Sequence, residues 1–130
     1  MLAKDIMTTQ VITIRPDTTV QEAIKTLIQI EISGLIVTDE QGDIVGVVTE
    51  RDMLIAFEFV QQTQVPVENY MNRKIISVTE DTTIEEVGKM LIHGDVRRVP
   101  VLRGKKVVGV ISRRDLLKNI LKHDHKKSKS

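Results

Sequence analysis

Cysteine is absent from these 130 residues, so disulfides and thiolate metal sites are excluded and the redox compartment is unmarked. Tryptophan is absent too, and Phe57, Phe59 and Tyr70 are too few for the stacking platforms that hold single-stranded nucleic acid. No apolar run approaches the roughly 18 residues of a membrane span. The opening Met1-Leu2-Ala3-Lys4-Asp5 lacks the apolar stretch of a signal peptide. These absences point to a soluble, cytoplasmic protein with neither membrane nor nucleic acid as partner. Catalytic signatures are missing as well: no Gly-x-Ser-x-Gly elbow, no P-loop and no His-Glu-x-x-His occurs. No nucleophile–base pair can be argued from spacing, and no enzymatic activity is expected. His123-x-His125 lies in a lysine-rich end with only Asp124 nearby, and His93 stands apart, so no metal site is expected.

What is present is ordinary globular composition, 41% hydrophobic and 28% charged, with aliphatic residues supplying the core. The net charge of +1 hides an asymmetry: residues 1–65 carry −6 and residues 66–130 carry +7. Such a division suits an anionic ligand, or antiparallel pairing of two copies, or simply a solvated basic face.

The chain repeats itself at a spacing of 64 residues. Gly46-Val47-Val48-Thr49-Glu50-Arg51-Asp52 matches Gly109-Val110-Ile111-Ser112-Arg113-Arg114-Asp115, after one deletion near Glu40 to Gln41 shortens the spacing to 63. Around it Met7 aligns with Met71, Asp17-Thr18-Thr19 with Asp81-Thr82-Thr83, Glu22 with Glu86, and Val37 with Val101. Two halves of about 60 residues are each marginal alone, so a shared hydrophobic interface is expected. Residues 1–65 form the first repeat (core about 3–60), 66–121 the second, and 122–130 a disordered basic tail.

Each repeat reads β-α-β-β-α, an α/β (α+β) class. Val11 to Ile14 is β-branched and stopped by Pro16, so a strand is expected. Thr19-x-x-Glu22 opens a helix as a capping box, with Ala23, Leu27 and Ile30 at helical spacing and Gly34 as punctuation. Leu35 to Val37, a polar turn at Asp39 to Asp43, and Ile44 to Val48 make a hairpin, followed by a helix from Glu50 to about Val60. The second repeat follows suit: a strand at Ile75 to Val78, a box at Thr83-x-x-Glu86, and a helix to about Ile92. Strands at Val99 to Leu102 and Val107 to Ile111 then lead to a helix from Arg113 to about Leu121.

Thr49 and Ser112 sit where a strand becomes a helix, each with an aspartate three residues on. Taken alone, Ser/Thr-x-x-Asp is a variant capping box that needs no ligand. The same geometry suits a nucleotide. A helix N-terminus offers free N–H groups and positive dipole to phosphate, and a carboxylate accepts from the two hydroxyls of a vicinal diol. The preceding Gly46 and Gly109 favour the second reading, because a strand glycine marks close approach by a backbone or a ligand. Arg97-Arg98 carries donors suited to phosphate where the first repeat has Ser33-Gly34.

These residues carry a family resemblance. With Asp5-Ile6-Met7, Asp17 to Ala23, the two Gly-to-Asp segments and Arg97-Arg98-Val99-Pro100-Val101, the chain resembles a tandem pair of cystathionine-β-synthase (CBS) domains, a Bateman module, over roughly residues 3 to 121. Ser33-Gly34-Leu35-Ile36-Val37 departs from the pattern and lacks the proline. The resemblance implies two repeats packed by their sheets about a pseudo-twofold axis. Two clefts would then each bind AMP, ADP, ATP or S-adenosylmethionine. One site would use Thr49, Asp52, Ile76, Thr82, Val87, Val96, Arg97 and Arg98. The other would use Ile12, Thr18, Ala23, Ile32, Ser33, Ser112, Arg114 and Asp115. The arginines imply that the Asp52 site prefers the more phosphorylated ligand. No cofactor is required, and whether Mg²⁺ accompanies a polyphosphate stays open. The resemblance further implies a stand-alone sensor that signals through a homodimer, built on the helices after Asp52 and Asp115, or through a regulated partner protein. The alternative is a ligand-free structural or interaction module.

Overall fold

Short β-branched runs and amphipathic helices alternate along the chain as α1 (Ala3–Ile6), β1 (Thr13–Ile14), α2 (Val20–Ile30), β2 (Gly34–Thr38), β3 (Ile44–Thr49) and α3 (Glu50–Val60), a 3₁₀ turn at Val67–Asn69, then β4 (Val78–Thr79), α4 (Ile84–His93), β5 (Arg98–Arg103), β6 (Lys106–Ser112) and α5 (Arg113–Ser128). The computed structural model describes residues 1–60, 63–94 and 96–128, without the side chains of 59–60 and 123–128. The chain condenses into two units that cut across the sequence repeat: Ile12–Ile75, and Met1–Val11 with Ile76–Ser130. We call them the Asp52 unit and the Asp115 unit. Each holds one three-stranded sheet, β1-β2-β3 or β4-β5-β6, with a parallel first pair and an antiparallel second pair.

In the Asp52 unit, Val20, Ala23 and Leu27 recur at helical spacing on the buried side of α2. They meet Leu35, Val37 and Val48 from the sheet, Met53 and Ala56 from α3, and Val67 and Met71 from the segment that follows. Thr19 caps α2 as the sequence implies, its Oγ1 accepting the Glu22 N–H at 3.1 Å. The helix stops at Glu31 rather than Gly34, because Glu31 takes the left-handed conformation (φ 59°) and sends its N–H to Leu27 O. In the Asp115 unit, Val87 and Leu91 of α4 pack on Val78, Val99, Val101 and Ile111, with Ala3 closing the cluster. Thr83 caps α4 through the Glu86 N–H at 3.3 Å.

The hairpins explain the change of repeat spacing. Asp39 Oδ1 accepts the N–H groups of Gln41 and Asp43 in a wider turn, with Gly42 at φ 83°, whereas Gly104 at φ 63° makes a tight one. Both hairpins keep the same register shift, at Val37/Thr38 and at Val101/Leu102.

What repetition alone does not reveal is which segment completes each sheet. β6 is flanked by residues 1–11: Thr8 and Val110 exchange N–H···O bonds of 2.9 Å in both directions. β3 is flanked by the segment after α3, where Asn72 and Val47 exchange bonds of 2.8 and 3.0 Å. Each pairing satisfies backbone groups that an open edge would leave to water. The two strand glycines belong to this arrangement. A β-carbon on Gly46 would stand 2.6 Å from the Met71 sulfur, and one on Gly109 2.5 Å from the Met7 sulfur. The close approach expected at these glycines is therefore by a thioether from the flanking segment, not by a ligand. The aligned methionines, unexplained in the sequence, are its other half.

A second correction concerns the carboxyl end. α5 runs to Ser128, past Lys122, where an irregular tail was expected to begin, while Lys129 and Ser130 lie outside the described residues. Among the described residues no helix is long and apolar enough to cross a membrane.

The glycines yield a contrast that denaturant unfolding can read. Gly109→Ala drives a methyl group into Met7 and should cost about 1–3 kcal/mol. Gly88, inside α4 with nothing within 4 Å of its missing β-carbon, should gain roughly 0.5–1 kcal/mol as alanine. Equal effects at the two positions would refute the methionine-in-hollow explanation.

Candidate functional site

β3 and β6 each feed straight into a helix, leaving that helix's first N–H groups without intrahelical acceptors. The Ser/Thr-x-x-Asp motif meets this need reciprocally. The Thr49 N–H donates to Asp52 Oδ2 at 2.8 Å, and the Asp52 N–H donates to Thr49 Oγ1 at 3.2 Å. At the other junction the Ser112 N–H donates to Asp115 Oδ2 at 2.8 Å, and the Asp115 N–H returns to Ser112 Oγ at 3.3 Å. A further bond ties each junction to its sheet: Ser33 O accepts the Glu50 N–H, and Arg97 O accepts the Arg113 N–H. The caps are thus held by backbone on both sides, with a carboxylate one turn into the helix.

The two junctions are not copies in detail. The Ser112 hydroxyl donates to Asp115 Oδ2 at 3.0 Å, and the Thr8 hydroxyl donates to Asp115 Oδ1 at 3.2 Å, so both carboxylate oxygens are engaged. Among the described residues Asp52 Oδ1 accepts no hydrogen bond, and the Thr49 hydroxyl is bonded only as an acceptor. Asn72, which stands where Thr8 stands one repeat earlier, instead turns its Oδ1 to the Lys74 N–H at 2.9 Å. Arg98 adds to the difference. It pairs with Ser112 across the sheet, feels the Asp115 charge, and has its Nε buried without a hydrogen-bond partner among the described residues. Burial draws its guanidinium below the ordinary value, and Asp115 opposes that fall.

The remaining expected site residues divide by exposure. Ile12 and Ile76 leave 40% and 49% of their surface uncovered at the start of the first strand of each unit, free to lie against a flat ring. Ala23 and Val87 are fully buried in their units' cores, so they support a site from behind and cannot line it. Ile32 and Val96 are partly buried against those same cores. The Thr18 and Thr82 hydroxyls accept the N–H groups of Arg15 and Thr79, closing the turns before α2 and α4. Arg97 and Arg114 are exposed. Arg98, expected with Asp52, is held beside Asp115 in its own unit.

Sequence reasoning passed over Thr8, although alignment at the repeat spacing against Asn72 would have flagged it. It also passed over a cleft of about 640 Å³ beside Asp115, lined in part by Asp5, Lys118, Asn119 and Lys122. Among the described residues no three His, Asp or Glu side chains are grouped to hold a metal ion. The His123 and His125 side chains lie outside the described set.

Comparison with known proteins adds a family. The model described as CBS domain matches residues 3–58 and again 67–122. The CBS domain-containing protein YhcV of Bacillus subtilis is 32% identical over 124 residues, covering 93% of this chain and 86% of its own length. The CBS domain pair of MJ0100, solved in complex with 5-methylthioadenosine and S-adenosyl-L-methionine, is 30% identical with a TM-score of 0.78, covering 92% of this chain and 95% of its own. CBSX2 of Arabidopsis thaliana, solved in complex with AMP, shares the fold at 24% identity and a TM-score of 0.85, with coverages of 95% and 98%.

The unequal caps predict unequal stability effects without any ligand. Asp52→Ala leaves the Thr49 Oγ1 cap on the residue-52 N–H but removes the acceptor of the Thr49 N–H, and should cost about 1 kcal/mol. Asp115→Ala also strips the Thr8 bond and the counter-charge of half-buried Arg98, and should cost roughly twice as much. Urea unfolding of both variants is the check, and equal losses would contradict the asymmetry.

Proposed function

This chain belongs to the CBS-domain family, of which it carries two copies, and on that footing we propose that it is a non-catalytic regulatory module binding an adenosine-containing ligand at its hydroxyl–carboxylate caps. The observation that carries this reading is Asp52 Oδ1 at the start of α3, which accepts no hydrogen bond among the described residues, beside the Thr49 hydroxyl, which donates to no acceptor among them. A ribose diol has two donors for such a carboxylate, and the helix N-terminus favours any phosphate that follows. The ligands of the MJ0100 pair support it: methylthioadenosine and S-adenosylmethionine share an adenosine and no phosphate, which puts the common recognition on base and ribose. Exposed Ile12 and Ile76 supply apolar surface for the base.

A ligand changes the protein's arrangement only through differential affinity for two states. The signal then leaves through a partner protein or a second copy of the chain. α3 exposes 69% of Leu54 and 58% of Phe57, and α5 exposes 64% of Leu117 and 71% of Leu121, apolar surface that a homodimer would cover. α3 bears Glu50, Asp52 and Glu58 against the single base Arg51, while α5 bears Arg113, Arg114, Lys118 and Lys122 with Asp115 opposed to them. Charge therefore favours α3 of one copy against α5 of the other over like helices together.

Calorimetric titration with AMP, ADP, ATP and S-adenosylmethionine tests the ligand reading. The wild-type chain should bind at two sites, Asp52→Ala and Asp115→Ala should each lose one, and the double variant should lose both. A saturating ligand at 100 times its dissociation constant should add about 2.7 kcal/mol of stability. No binding by any of the four would leave the chain a ligand-free interaction module. For the assembly, sedimentation of Phe57→Glu should show a dimer reduced to monomer; identical species before and after would refute the interface.

A further inference from the structure

Thr8 and Asn72 occupy one structural position in the two units, each exchanging a pair of backbone bonds with the third strand of its sheet, yet only Thr8 reaches a cap carboxylate. We propose that Thr8 is a specificity-determining residue, whose hydroxyl occupies the remaining oxygen of Asp115 in the free protein, so that a ribose diol enters there by exchange and at Asp52 without it. This rests on the adenosine reading of the caps and goes beyond it by ranking the two.

The hydroxyl is held by more than its own bond. Thr8 is locked to Val110 by bonds in both directions, and Met7 before it fills the hollow over Gly109. Upstream, Ala3 is fully buried and donates its N–H to Thr82 O at 2.7 Å. A diol arriving at Asp115 finds both oxygens engaged, by Ser112 and by Thr8, and must displace a donor that the backbone holds in place. At Asp52 the corresponding Asn72 instead accepts the Lys74 N–H, and among the described residues no donor needs to leave Oδ1. Displacing one hydroxyl–carboxylate bond is a small term, about threefold to tenfold in affinity. It is enough to fill the Asp52 cap first.

The test uses the full chain in an Asp52→Ala background, which leaves Asp115 as the single cap. Thr8→Val keeps the shape and the backbone pairing while removing the hydroxyl. AMP should then bind about threefold to tenfold tighter, whereas 2′,3′-dideoxyadenosine monophosphate, which lacks the diol, should gain nothing. Unchanged or weaker AMP binding, or an equal gain for the dideoxy compound, overturns the proposal. A ligand-free arm separates this from failure of the adenosine reading. In otherwise wild-type protein, Thr8→Val should move the side-chain carboxyl ¹³C resonance of Asp115 and leave that of Asp52 in place. If AMP binds no variant, the adenosine reading falls; if the Asp115 resonance does not move, Thr8 does not hold it and the proposal falls.

Discussion

Everything distinctive about this chain depends on how a helix can begin directly where a β-strand ends. The first turn of α3 or α5 has N–H groups with no intrahelical acceptor, and the preceding residue is still extended and paired in a sheet. A hydroxyl and a carboxylate three residues apart settle this by bonding each other's backbone. The solution fixes a charged group at a helix N-terminus, next to a hydroxyl and at the edge of a sheet. Structural need and ligand chemistry therefore coincide in the same atoms. A cap that uses only one carboxylate oxygen has the other to offer.

The two copies have used that second oxygen differently. At Asp52 it accepts no bond among the described residues; at Asp115 it is closed by a threonine from a segment that the chain supplies from the start of the other repeat. The exchange of flanking segments makes this possible. Each sheet is completed by residues that precede the opposite repeat, and a methionine seated over a strand glycine secures each exchange. Arg98, half-buried beside Asp115, deepens the difference. Repetition thus supplies two similar frames, and Thr8 against Asn72 at the exchanged segment is one of the differences that distinguish them.

Much of the fold was legible in the sequence because its determinants are local. Thr19 and Thr83 announced their helices, β-branched runs announced their strands, and the polar turn at Asp39 to Asp43 announced a hairpin. The repeat located both caps, in which Thr49 bonds Asp52 and Ser112 bonds Asp115. What escaped was non-local or set by backbone conformation. Glu31 ends α2 by adopting a left-handed conformation that its type does not advertise. Gly46 and Gly109 mark points of close approach, but a single sequence does not say what approaches. Ala23 and Val87 carry the helical periodicity of core residues, and the core claimed them. Thr8 was hidden because its partner lies 107 residues away.

The central claim is that the cap carboxylates are the ribose-binding groups, and a crystal structure of the chain grown with S-adenosylmethionine tests it most directly. The ribose hydroxyls should lie within hydrogen-bonding distance of Asp52, with the Thr49 N–H still bonded to Oδ2 and the ribose taking Oδ1. A ligand seated away from both aspartates, with both caps unchanged from the free protein, would contradict it.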